Sequence, residues 1–403
     1  MSELRALLTP DGLALLDGTD PIVSTAEVAS AVSRLRAAGH APELVTAVVG
    51  QSTLRARASA KFGGFAGRML FTRAGLEQAT RLGVAARHAQ RIRQAGITSV
   101  ADLGCGIGGD ALAFAGAGLD VLAVDADEVT AAIAAYNLAP FLHTEDGESG
   151  AVVQHGTAEA TDISGYDAVW MDPARRTSGH SETRRVSADD YSPSLDWAFE
   201  LATRVPTGIK LGPAHDRDAL PEDAEAQWVS ADGSVVELVL WTGALARPGV
   251  RRAALIIRGE RSHELTAGGD AEDAPVRELG AFLHEPDGAV IRARLIGDVA
   301  RSLDAGMLDP KIAYLTSDAA LTSPFVQSFR VRETMSANPK AINAALRAAD
   351  IGTLEIKKRG VDIDPAAFRK KLTLRGSQSA TLLLARVGSQ RLAILADRVP
   401  SAA

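Results

Sequence analysis

The residues with the plainest chemical meaning stand together at Asp102-Leu103-Gly104-Cys105-Gly106-Ile107-Gly108-Gly109-Asp110. Glycines directly after a β-prone run allow a tight turn and close approach of backbone to a ligand at the start of the next helix. A carboxylate at the head of that turn opposes a pyrophosphate and suits a cationic amino-acid ligand; ordering the loop is its other use. Asp125 closes the apolar run Val121-Leu122-Ala123-Val124. From such a place an acidic side chain clasps ribose hydroxyls, with Asp127 as the second choice.

A second group, Trp170-Met171-Asp172-Pro173-Ala174-Arg175-Arg176, ends another apolar run. Pro173 fixes the backbone after Asp172, which is placed to orient an acceptor or take a hydrogen bond from it. Arg175 and Arg176 suit a phosphate beside that point, or else pair with Glu182, Asp189 or Asp190. Residues 177–190 are polar and aperiodic, as an acceptor-side loop would be. Lys210 ends the run Gly208-Ile209-Lys210-Leu211, where phosphate contact and plain solvation are both open to it. His180 and His215 are isolated, so no metal-ligand spacing is present.

Elements that hold these residues follow from pattern. Thr98–Leu103, Leu119–Val124, Ala151–Gln154, Tyr166–Met171 and Thr207–Leu211 read as strands, with a helical pattern between the first two. Strands alternating with helices predict βαβ units and a mainly parallel sheet. Ala226–Ser230, Val235–Trp241 and Ala253–Ile257 form an antiparallel edge to that sheet or the approach to a further domain. Ahead of the sheet, a cap at Thr25-Ala26-Glu27 opens a helix through Leu35, Pro42–Val49 gives a short helix, and Thr72–Ile92 gives a long one with a stripe of Leu76, Ala79, Leu82 and Ala86. Beyond residue 258, 268–273 read as a loop or linker, 286–303 and 337–349 as helices, 352–358 as extended, 365–372 as a helix and 380–387 as a strand.

Composition sets the bounds. The chain has 403 residues, 46% apolar and 23% charged, with one cysteine and a net charge of −7. That describes a globular protein of two or three domains without a disulfide framework. No basic leader followed by an apolar stretch opens it and no apolar run is long enough to span a bilayer, which predicts a cytoplasmic location without membrane attachment. Charge is divided: residues 1–93 carry 12 basic and 7 acidic groups and residues 331–403 carry 13 and 6, around an acidic centre. Basic flanks fit a polyanionic partner, and equally fit solvated faces.

The segment from Asp102 to Gly108, followed by Asp125, resembles the class I S-adenosylmethionine-dependent methyltransferases. Nucleotide-sugar and dinucleotide enzymes share the glycine-rich turn, and Asp102 at its head separates them. The resemblance implies S-adenosyl-L-methionine as cofactor, held by Asp102, Gly104, Cys105, Gly106, Gly108, Asp125 and Ala126, with Thr157 and Ala158 beside the adenine. It makes Asp172 and Arg175 catalytic and puts Pro173, Arg176 and Lys210 on the substrate side. Asp172-Pro173 resembles the acceptor motif of RNA and DNA methyltransferases, but Ala174 and Arg175 stand where that motif carries proline and an aromatic ring. Asp-Pro-Ala-Arg also resembles some 5-methyluridine-forming enzymes. Carbon methylation there needs a cysteine nucleophile, and the only cysteine, Cys105, lies in the cofactor loop; nitrogen or oxygen is therefore the expected acceptor atom.

Lys61-Phe62-Gly63-Gly64-Phe65 and Met69-Leu70-Phe71-Thr72 resemble the helical extension of trimethylguanosine-synthase-like enzymes, which covers the cofactor. Phe71 would then pack at the cofactor and Phe65 at the substrate, or both belong to the core. Leu354 through Gly376 resembles a THUMP-like domain, and THUMP domains proper bind RNA. The expected fold class is therefore α/β: a Rossmann-like methyltransferase sheet (96–258), a helical N-terminal domain (1–95) and a small α+β C-terminal domain (259–403). RNA is the expected partner and methyl transfer the expected reaction, with no metal. A small-molecule methyltransferase and a non-catalytic RNA-binding protein are the competing readings. The sequence leaves the oligomeric state open.

Overall fold

The computed structural model describes residues 2–142, 150–175 and 191–400. Arg176 and the polar stretch 177–190 lie outside the described residues, and of Arg175 only the backbone is described. The chain divides into two compact units, one of Met1–Leu211, Asp218–Ala224 and Val239–Arg247, the other of Gly212–Arg217, Glu225–Leu238 and Pro248–Ala403.

The first unit opens with α1 (Ser2–Leu7), α2 (Pro10–Asp17) and α3 (Thr25–Ala37). Ser24, one residue before the expected cap, accepts from the Glu27 N–H, and the Glu27 carboxylate reaches back to the N–H groups of Val23 and Ser24. That reciprocal pairing satisfies donors the helix cannot. α4 (Pro42–Phe62) runs 21 residues, well beyond the Val49 end expected from sequence. Its buried face continues through Val45, Val48, Ser52, Arg55, Ala58 and Phe62, and nothing stops it before Gly63, whose φ of +55° suits glycine.

The single helix expected over 72–92 is two, α5 (Arg73–Gln78) and α6 (Leu82–Gln94). The physical reason is Lys61. Its ammonium donates to the carbonyls of Leu76 (2.8 Å), Glu77 (2.7 Å) and Ala79 (2.8 Å), closing the end of α5 with partners that a continuing helix would supply itself. Because of the break, α6 is rotated from the expected stripe. It buries Val84, Ala85, His88, Ala89 and Ile92, and Ala86 is exposed.

The sheet of this unit contains β1 (Ser99–Leu103), β2 (Asp120–Asp125), β3 (Ala151–His155), β4 (Ala168–Met171) and β7 (Thr207–Leu211), with α7 (Gly109–Gly116), α8 (Glu128–Leu138) and α9 (Leu195–Ala202) among the connections. Two short strands, β5 (Ala174–Arg175) and β6 (Tyr191–Ser192), pair with each other. The order is β7-β4-β1-β2-β3, all parallel. β1 and β4 are buried almost throughout, as strands of a covered parallel sheet must be. Strand order reverses between β1 and β4, which is where open α/β sheets bind ligands at their carboxyl ends.

Trp170 of β4 packs against His88 (4.5 Å between ring centres), Trp241 (5.6 Å) and Phe114 (5.7 Å). Room for this stack comes from Gly208 on β7: a Cβ there would stand 2.6 Å from the Trp170 ring and 3.0 Å from the Trp241 ring. Neither ring can yield, so Gly208→Ala is expected to lower stability by about 1–3 kcal/mol, the usual cost of overpacking. Urea unfolding monitored by tryptophan emission measures this; an unchanged midpoint would show that the stack has slack.

The second unit contains β8 (Glu225–Ala231), most of β9 (Ser234–Trp241), β10 (Arg252–Arg258) and β11 (Arg261–Ala267). β8 and β10 are parallel, and β10 and β11 are antiparallel. Ala226–Ser230 and Ala253–Ile257, entertained from sequence as parts of an antiparallel edge, run parallel to each other. The loop at 268–273 is pinned: Asp270 meets Arg252 at 2.8 Å and Arg217 at 3.2 Å.

A second sheet follows, built from β12 (Phe282–Pro286), β13 (Gly306–Asp309), β14 (Ile312–Ser317), β15 (Val326–Ser336), β16 (Ile351–Arg359), β17 (Gln378–Val387) and β18 (Gln390–Arg398), in the order β13-β14-β12-β15-β18-β17-β16. The one helix expected over 286–303 is α10 (Gly288–Arg292) and α11 (Ile296–Ser302), because Arg294 takes a left-handed φ of +59°. α12 (Pro339–Ala348) and α13 (Pro365–Arg369) complete the unit. Alternation along β17 serves two cores: Leu382 and Leu384 join Ile342, Leu346 and Phe368, while Leu383 joins Leu283, Tyr314 and Phe329. The fold class is thus the expected one, a Rossmann-like sheet with N-terminal helices and a small α+β C-terminal region.

Candidate active site

β1 delivers its chain into a turn where Gly104, Gly106 and Gly108 have φ of +97°, +55° and +84°. Side chains rarely adopt these angles, so the glycines define the loop's shape. The N–H groups of Gly104 and Cys105 both donate to the Val124 carbonyl at 2.9 Å. Asp125 at the end of β2 completes the turn, its carboxylate accepting from Gly106 N–H (3.0 Å) and Asp127 N–H (2.9 Å). Burial raises its pKa, and those two hydrogen bonds pull against that rise. Cys105 is buried, and burial pushes its thiol well up, so it is an unreactive member of the loop.

Neighbouring elements bring other expected residues alongside. Gly156 N–H donates to the Asp125 carbonyl at 3.0 Å, which sets Thr157 and Ala158 next to the end of β2. Ala158 lines a cleft of about 350 Å³ with Leu103, Ile163 and Trp197. Ala126 is exposed on the same edge. Phe71 is buried with its ring centre 5.7 Å from that of Phe62, while Phe65 is 53% exposed on the turn that follows α4. The segment carrying Phe71 lies on the glycine loop: Asn137 of α8 bonds both N–H (2.8 Å) and C=O (3.0 Å) of Leu70 and, at 2.8 Å, the carbonyl of Ile107.

Asp102 is the electrostatic centre. It is fully buried, and neither carboxylate oxygen has a hydrogen-bond partner. Burial, with the charges of Asp110 and Asp172, raises its pKa well above the ordinary range; Lys210 only partly offsets this. An orphaned buried carboxylate is costly unless a cation completes it. The ammonium of an amino-acid ligand is such a cation, so the residues present fit S-adenosyl-L-methionine.

Asp172 stands just past β4, with a side chain 36% exposed and ion-paired to Lys210. A Cβ on Gly104 would lie 3.5 Å from the backbone carbonyl of Asp172, so the loop and the chain at the end of β4 are immediate neighbours. Pro173 is buried behind it. The Lys210 side chain is only 11% exposed, and its ammonium also donates to the Thr80 hydroxyl at 2.9 Å. Thr80 donates in turn to Asp110 (2.7 Å), whose other oxygen is 2.9 Å from His88 Nδ1. Burial acts to raise the Asp110 pKa, but the hydrogen bond and charge of His88, with Lys210 and Thr80, hold it below the usual range.

Thr80, His88, Asp110, Asn137 and the role of Lys61 were not read from sequence. One signal was there: His88 and Asn137 are polar residues among apolar neighbours on helices. Among the described residues, no group of three or more His, Cys, Asp or Glu could hold a metal ion.

The THUMP domain-like family matches residues 326–398, and a domain of unknown function (DUF8688) matches residues 1–58. Proteins from two strains of Mycobacterium tuberculosis, both described as uncharacterised S-adenosylmethionine-dependent methyltransferases, are 33% identical over 367 residues, spanning 89% of this chain and 96% of theirs. A crystal structure of a candidate methyltransferase from Porphyromonas gingivalis, 20% identical, covers 94% of this chain and 100% of its own with a TM-score of 0.73. That last likeness is one of fold.

Proposed function

The chain belongs to the S-adenosylmethionine-dependent methyltransferases, and from that premise we propose that it methylates a nitrogen or an oxygen of RNA. S-adenosyl-L-methionine is its cofactor and supplies an activated methyl group on a sulfonium. Asp102 receives the ligand's ammonium, the glycines of 104–108 admit its amino-acid portion, Asp125 and Ala126 take the ribose, and Thr157 and Ala158 border the adenine. Asp172 orients the acceptor atom and takes up its hydrogen bond. Such transfer needs little covalent help from the protein; alignment and exclusion of other orientations supply most of the rate.

The observation that carries the RNA reading is the THUMP domain-like match at 326–398, which overlaps a segment, 331–403, holding 13 basic and 6 acidic groups. Basic groups in that proportion suit a phosphate backbone. In this reading residues 259–403 present the RNA, 96–258 carry the chemistry and 1–95 cover the cofactor. Arg175 and Arg176 meet phosphate beside Asp172, and Phe65 offers its exposed ring to a base. The core is read as trimethylguanosine-synthase-like because Leu70 is tied through Asn137 to the loop, where a cofactor cover belongs. Among the described residues no helix is long and apolar enough to cross a membrane, and we place the protein in the cytoplasm.

The test is to incubate purified protein and methyl-labelled cofactor with total RNA from cells lacking the gene, then digest and separate the nucleosides. One labelled nucleoside, formed less at high salt, is the expected result. Label in a metabolite and in no RNA fraction would defeat the assignment.

A further inference from the structure

Lys210 was expected to meet substrate phosphate or solvent, yet its ammonium is committed to protein groups: it pairs with Asp172 and donates to Thr80. The hydrogen bonds beyond it have only one possible direction. An ammonium can only donate and an ionised carboxylate can only accept. The single proton of the Thr80 hydroxyl is therefore fixed on Asp110 and its lone pair on Lys210. Asp110 is in turn held by His88, whose ring stacks on Trp170, two residues before Asp172.

Thr80 itself is held from behind. It follows Ala79 directly, and the Lys61 ammonium grips the carbonyls of Leu76, Glu77 and Ala79. A string thus runs from the end of α4 through the break between α5 and α6 to the ends of β7 and β4, with a branch to the first turn of α7 just beyond the glycine loop. Of its members Thr80, Asp110 and His88 are buried, so the string is shielded from competing water.

We propose that Thr80 is a positioning residue for methyl transfer, which, anchored by Asp110 and Lys61, holds Lys210 on Asp172 and so fixes the carboxylate that meets the acceptor. The proposal rests on the reading of Asp172 as the acceptor-side group. The helices ahead of the sheet then act on the acceptor as well as on the cofactor.

The test is Thr80→Val, nearly isosteric but without the hydroxyl, with Thr80→Ala as a second variant should valine impair folding. Limited acetylation with acetic anhydride, mapped by mass spectrometry, reads the reactivity of Lys210 without any methyl acceptor. Loss of one hydrogen bond to a charged group is worth about tenfold, so Lys210 should acetylate about tenfold faster in the folded variant. Affinity for S-adenosylhomocysteine by calorimetry should stay within roughly threefold, while methyl transfer to RNA falls by about 10²-fold, the scale of a misplaced reacting group. Thr80→Ser, which keeps the hydroxyl, should bring both labelling and transfer back toward wild type. Unchanged Lys210 labelling in folded Thr80→Val, or failure of serine to rescue, would overturn the proposal. Should wild-type protein methylate no RNA, the substrate assignment falls on its own, and the acetylation result still decides the role of Thr80.

Discussion

Asp172→Asn is expected to cut methyl transfer by about 10²-fold or more while leaving cofactor affinity nearly unchanged, because the substitution keeps the shape of the side chain and removes its charge. In the native site that charge pairs with Lys210, and the backbone carbonyl of the same residue lies beside Gly104. The amide oxygen can still accept from the ammonium but brings no charge to the pair, and it accepts less strongly from an acceptor gaining positive charge. Asp172 is 36% exposed, so solvent screens the pair and the stability cost should be small. Single-turnover transfer with labelled cofactor measures the first effect and calorimetry with S-adenosylhomocysteine the second. Retention of transfer within about threefold would remove Asp172 from the acceptor side.

Asp102→Asn should produce the opposite division: binding falls by about 10²-fold, as expected for loss of a buried charge-assisted hydrogen bond, and the ligand-free protein becomes more stable. The sign follows from the raised pKa. Below the ordinary value of 3.8 the carboxyl is protonated in both folded and unfolded chains and contributes no pH dependence. As pH rises, the unfolded chain releases its proton first while the buried group keeps its own, so stability falls until the folded form also ionises. Asparagine removes that slope. Arrival of the ligand's ammonium favours the ionised carboxylate, so binding to wild type should release a proton within this window, and affinity should rise with pH there. Calorimetry in buffers of differing ionisation enthalpy detects the proton. Equal release by wild type and Asp102→Asn would place its source elsewhere.

Much of the sheet was legible because its strands are short apolar runs punctuated by Gly and Asp. The strand Thr207–Leu211 emerged with its expected ends, and Ser99–Leu103 and Asp120–Asp125 within one residue at either end. In a parallel sheet both faces are covered, so continuous hydrophobicity marks the strand while the polar residue ending it marks the ligand edge. Strands such as Val326–Ser336 and Arg261–Ala267 escaped notice because they are half exposed and carry mixed residues. The break at 79–81 was invisible for another reason: the ammonium that closes α5 comes from Lys61, on the preceding helix. Likewise Lys210 and Thr80 lie 130 residues apart. Sequence pattern located the carboxylates; it could not show which cation each one meets.

The hydrogen bonds of Asn137 bear on how the enzyme can be assembled and dissected. Two of its three bonds go to Leu70, upstream of the sheet, and the third to Ile107 in the loop. A fragment begun at the first strand would leave that buried amide two-thirds unanswered and the loop braced from one side. The strands that carry the methyltransferase signature are therefore not expected to work as a detachable cassette: the leading helices act as an internal scaffold that braces the loop from its far side.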